Sequence, residues 1–103
     1  MKALLSLLIA SSALAAAPAF ASQDLAQKKN CMSCHGVDKK IVGPSFQDVA
    51  AKYAADKTAA DKLAQKIQKG GAGVWGPIPM PPNALSDAEA KSLAQWVLAQ
   101  KKK

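Results

Sequence analysis

The segment "NCMSCH", residues 30–35, holds both cysteines and the only histidine of a 103-residue chain. Two thiols three positions apart, with an imidazole directly behind the second, must serve one local site. Three chemistries suit that spacing: a redox dithiol, part of a metal site, or a covalent anchor for haem. A thioredoxin-like dithiol stands after a strand in a βαβ frame, and no strand pattern precedes Cys31. A structural zinc site takes four Cys or His ligands, whereas this segment offers three that must converge from a cramped turn. Copper could add Met80 as a soft ligand. C-x-x-C-H is also the signature of c-type haem attachment. One helical turn brings the two sulfurs to the separation of two vinyl-derived carbons, and the next residue sets an imidazole nitrogen over the iron.

The surroundings favour the haem reading. The chain opens "MKALLSLLIASSALAAAPAFA", one basic residue followed by an apolar stretch that ends Ala19-Phe20-Ala21. That is the plan of a cleaved secretory signal peptide over residues 1–21, with a single domain over residues 22–103. Residues 3–23 carry no charge and could instead anchor in a membrane. Pro18, the weakly hydrophobic alanines and the cleavage site argue for removal, so no stable membrane insertion is expected. A domain this small has a marginal core and needs a staple. Export leads to an oxidising compartment, but one disulfide across so short a loop restrains the chain little. A bound cofactor is the better staple.

Fourteen lysines stand against seven acidic residues, a formal charge of +7 that favours acidic partners or anionic surfaces. No arginine is present to fork onto phosphate or bases and no aromatic residues interleave the lysines, so nucleic acid is not an expected partner.

Strand signals are nearly absent and helical spacing recurs, which predicts an all-α fold of about four short helices. A first helix is expected over 24–30, leading into the cysteines, and a second over 46–54 with Val49, Ala50, Tyr53 and Ala54 on one stripe. The third, over 57–69, puts Ala60, Leu63, Ala64 and Ile67 on one face and stops at Gly70-Gly71. The last begins at a capping box, Ser86 with Glu89. It aligns Ala90, Leu93, Ala94 and Val97, and places Lys101, Lys102 and Lys103 at the negative end of its dipole. Between these lies "GAGVWGPIPMPPN", residues 71–83, with four prolines and three glycines. Proline fixes φ and removes a donor, so this long loop is stiff, and long ordered loops tend to be functional.

If haem is the cofactor, its second axial ligand follows by elimination. His35 is the only histidine, Met1 leaves with the signal, and Met32 lies inside the cysteine loop. Met80 remains, on the stiff loop between Pro79 and Pro81.

Taken together, the CMSCH segment, "VGPSF", "GVWGPIPMPPN" and the terminal helix resemble those of the bacterial cytochromes c-551, small class I c-type cytochromes. The resemblance spans essentially residues 22–103. It implies a small cytochrome c fold wrapped round one haem c, held by thioether bonds to Cys31 and Cys34, with His35 and Met80 on the iron. It also implies that the Pro44 carbonyl accepts the other His35 N–H, that Asn83 lies near the Met80 sulfur, and that Trp75 hydrogen-bonds a haem propionate. Lys66 falls where relatives often place an arginine near that propionate, and lysine lacks the planar fork. The basic charge balance is a second departure from a family often nearer neutral or acidic.

With both axial positions filled by protein, the expected task is carrying single electrons in the periplasm rather than enzymatic turnover. Expected partners are other redox proteins: a donor such as a membrane cytochrome complex, and an acceptor such as a nitrite reductase or terminal oxidase in a respiratory chain. Lys39 and Lys40, close behind His35, are candidates for steering acidic partners, and the chain is expected to act as a monomer. A haem peroxidase or a redox or gas sensor is the alternative; both need a labile Met80.

Overall fold

The computed structural model describes residues 19–102. The hydrophobic run of the expected leader and Lys103 lie outside them. Four helices follow in order: α1 (Ala19–Lys28), α2 (Phe46–Lys52), α3 (Ala59–Lys69) and α4 (Asp87–Leu98), with a 3-10 turn over Cys31–Ser33 between the first two. Among the described residues the only ladder pairings are two isolated bridges, so the chain is all-α, as expected.

Helix α4 is the hub, packing on α1, α2 and α3. Ser86 accepts from the Glu89 N–H and Glu89 accepts from the Ser86 N–H, completing the expected capping box. The helix ends at Leu98, where the Gln100 side chain donates to the Trp96 carbonyl at 2.9 Å. Lys101 and Lys102 therefore lie beyond the last turn. The dipole placement expected for them is not made within the last turn, because the helix ends at Leu98 and that turn holds no basic residue. Lys102 reaches Asp48 at 3.7 Å.

The boundaries of the other helices have local causes. α1 starts at Ala19 rather than near Asp24, and the bond after Ala21 falls inside it. It closes before Asn30, whose φ of 61° is left-handed, a conformation asparagine tolerates better than most residues. Ser22 is buried and its hydroxyl lies 2.8 Å from that of Ser92, tying α1 to α4. α2 is capped by Ser45, whose hydroxyl accepts from the Asp48 N–H at 3.1 Å. α3 begins at Ala59 rather than residue 57. Asp56 Oδ1 accepts from both the backbone N–H and the hydroxyl of Thr58, at 2.8 and 2.7 Å, and holds the preceding turn.

The core joins Ala26, Phe46, Val49, Leu93, Trp96 and Val97, with Leu63 and Ile67 of α3 packed against it. Ala64, Ala90 and Ala94 form a second, small-residue cluster where α3 meets α4. Among the described residues no large side chain is completely buried. Leu93, Phe46 and Trp96 retain 2%, 5% and 9% of their surface, and all three face the same cleft.

Candidate haem site

The cysteine wall is built by the 3-10 turn. The Cys34 and His35 N–H groups donate to the Cys31 carbonyl at 3.2 and 3.0 Å, curling the segment so that both sulfurs and the imidazole serve one cleft. Cys31 and Cys34 are both half-buried. Burial, the largest influence, pushes the Cys31 thiol upward, with the neighbouring Cys34 adding to the rise. The turn is then fastened to residues 42–46. Val42 and Gly43 donate to the Cys34 carbonyl at 3.0 and 2.8 Å, and Phe46 donates to the Gly36 carbonyl at 2.9 Å.

This fastening orients His35. Its Nδ1 lies 2.8 Å from the Pro44 carbonyl oxygen, and proline's carbonyl can only accept, so Nδ1 carries the proton. Nε2 takes no hydrogen bond among the described residues. The ring stacks on Phe46, with centroids 5.2 Å apart and planes 23° from parallel. Gly43 makes room for it, since a Cβ there would overlap the imidazole.

Met80 lines the same cleft. Gly71 donates to the Met80 carbonyl at 3.0 Å, and Met80 donates back to the Gly71 carbonyl at 2.9 Å. This paired bridge pinches the base of the loop over residues 71–80. It depends on Gly70, whose φ is 69° and whose position has no space for a Cβ beside the Met80 carbonyl and Pro81. Inside the loop Gly73 donates to Gly76 at 2.9 Å.

The cleft between these walls encloses about 1260 Å³ of empty space, part of it open to solvent. It brings together Cys31, Cys34, His35, Pro44, Lys66, Trp75 and Met80. Asn83 stands apart from its lining. Its side-chain amide donates to the Ile67 and Pro81 carbonyls at 3.1 and 3.4 Å, fastening the end of the loop to α3. Sequence reasoning missed Gly43, Phe46 and Ser45 as supports of His35. Ser45 three residues before Asp48 is a legible capping pattern, but the stacking of Phe46 exists only in three dimensions. It also missed Lys52, whose ammonium lies 5.4 Å from the centroid of the Trp75 ring.

The residues fit a haem on several counts. A large planar apolar group would cover the exposed Val42, Val74, Trp75 and Ile78, which line the cleft. A soft thioether, Met80, and an imidazole, His35, both line this cleft. The zinc reading lacks this support: among the described residues no three His, Cys, Asp or Glu side chains group to hold an ion.

Comparison with known proteins agrees with this construction. The family profile described as Cytochrome c matches residues 21–101. Cytochrome c-552 of Hydrogenobacter thermophilus is 58% identical over 82 residues, covering 80% of this chain and 84% of that protein. Cytochrome c-551 of Pseudomonas aeruginosa is 58% identical over 77 residues, covering 75% and 74%. The crystal structure of wild-type Nitrosomonas europaea cytochrome c552 superposes with a TM-score of 0.74 at 57% identity, covering 77% of this chain and 99% of that one.

Proposed function

This chain belongs to the cytochrome c family, and from that premise we propose that it is a periplasmic one-electron carrier whose haem is ligated by His35 and Met80. Membership makes it an electron-transfer protein, not an enzyme, with one covalently bound haem c. When bound, the haem supplies an iron that alternates between ferrous and ferric states. Cys31 and Cys34 hold its edge. Pro44 keeps the His35 tautomer with Nε2 free to bind metal, the outer-shell arrangement that orients a ligating histidine. Met80 offers a thioether, which favours ferrous iron and raises the potential. The walls of Phe46, Val49, Leu93 and Trp96 exclude water from the same site. Lys66 and Trp75 at the rim are suited to the haem's carboxylates.

The observation that carries this reading is that Cys31, Cys34, His35 and Met80, far apart in sequence, line one apolar cleft. Export with cleavage after Ala21 and a role between respiratory redox proteins complete the proposal. Among the described residues no helix is long and apolar enough to cross a membrane. Lys39 and Lys40 are exposed beside the cysteine wall and form no ion pair among the described residues, so they are available to steer acidic partners.

Absorption spectra of the mature protein, oxidised and reduced, test the ligand set. A covalently retained chromophore with the weak long-wavelength band of thioether-ligated ferric iron is expected. Met80→Ala should abolish that band while leaving the haem attached. A band that survives the substitution would reject Met80 as ligand.

A further inference from the structure

Helix α2 is firmly seated, with Phe46, Val49 and Ala50 buried in the core, and Phe46 supports His35. Its last residue is Lys52. The loop that carries Met80 is differently placed: residues 72–79 are exposed throughout. The Gly71–Met80 bridge pinches its base and the Gly73–Gly76 hydrogen bond closes its tip, yet neither ties it to another helix. From the end of α2 the Lys52 ammonium lies over the Trp75 indole, 5.4 Å from its centroid. Lys52 is exposed and forms no ion pair among the described residues, so no carboxylate competes with this ring for its ammonium. A cation over an indole face is attracted by the ring's quadrupole.

We propose that Lys52 is a positioning residue: its ammonium, seated on Trp75, latches the Met80-bearing loop to the helix that supports His35 and so slows departure of the Met80 sulfur. Only Gly76, Pro77, Ile78 and Pro79 separate Trp75 from Met80. The two prolines have fixed φ and pass a displacement of the indole on to the methionine. The inference rests on Met80 being a ligand, as proposed above.

The test uses the mature haem-loaded protein and neutral imidazole, which replaces a departing thioether and erases the long-wavelength band. Stopped-flow mixing of the ferric protein with excess imidazole gives the replacement rate. Lys52→Gln should raise it about two- to fivefold, the scale of one exposed cation–π contact. Lys52→Arg keeps a cation over the ring and should restore a rate at or below that of the unchanged protein. In a Trp75→Leu background, Lys52→Gln should add nothing further. The proposal is overturned if Lys52→Gln leaves the rate unchanged, if arginine behaves like glutamine, or if the two substitutions act independently. A parent protein with no thioether band would overturn the Met80 assignment and the latch with it. Equal rates in proteins that all show the band would overturn the latch alone.

Discussion

A Cβ at position 43 would lie 2.8 Å from His35 Nδ1 and overlap the ring at Cε1. The same nitrogen donates to Pro44, so the ring has nowhere to retreat without losing that bond. Gly43→Ala should therefore destabilise the haem-loaded protein by about 1–3 kcal/mol, the usual cost of overpacking, measured by denaturant unfolding. Asp56 offers a second test. Hydrogen bonds from Lys62, first, and then from Thr58 lower its carboxyl to about 2. A lowered folded pKa means a contribution present above the ordinary carboxylate range and lost as pH falls through the folded value. A carboxyl NMR titration should place the midpoint near 2, and Lys62→Met should move it upward; a midpoint that stays put would remove Lys62 as the cause. At this scale the sequence was informative where residues are scarce. One histidine, two cysteines and one suitably placed methionine leave few assignments. Gly43, Phe46 and Lys52 are common residue types whose roles come from what lies across space, and no spacing rule signals them.

Among the helices, α4 was the most legible because its start is written in local chemistry: a serine, a glutamate three residues on, and an apolar stripe behind them. Ser86→Ala removes the side chain that accepts the Glu89 N–H. Loss of an N-cap costs about 1 kcal/mol. The urea midpoint should fall with no change in slope, since the surface exposed on unfolding is the same. A slope that changes with the midpoint would mean that α4 frays independently of the domain. The ends of α1 and α3 were less legible. Asn30 stops α1 through a left-handed backbone, and Asp56 delays α3 through its hold on Thr58. Both depend on backbone conformations that hydrophobic periodicity does not register. The Met80 loop contains no helix, and it was legible as an irregular segment from its prolines and glycines. Its pinched base was not, because the Gly71–Met80 bridge pairs residues across the whole loop.

At the scale of the molecule, the cleft interrupts the core. Leu93, Phe46 and Trp96 line the cleft, and among the described residues the four helices pack on one another only through α4. Haem in that space would supply the missing interior. A chain with both Cys31→Ala and Cys34→Ala, produced without haem, should lose most of its far-ultraviolet helical signal; retention of the full signal would show that the helices hold one another unaided. Charge belongs to the same scale. The chain carries a net +7, and the described ion pairs engage Lys62, Lys91 and Lys102. Lys39 and Lys40 are exposed beside that wall with their charges free among the described residues. A small, transient redox contact gains encounter rate from such charges more than it gains affinity. Salt screens them, because the Debye length falls from about 30 Å at 0.01 M to about 8 Å at 0.15 M. Electron transfer to an acidic redox protein should therefore slow severalfold over that range. Lys39→Gln with Lys40→Gln should lower the low-salt rate and flatten the dependence. A rate indifferent to salt, or a double variant as salt-sensitive as its parent, would remove these two lysines from the encounter.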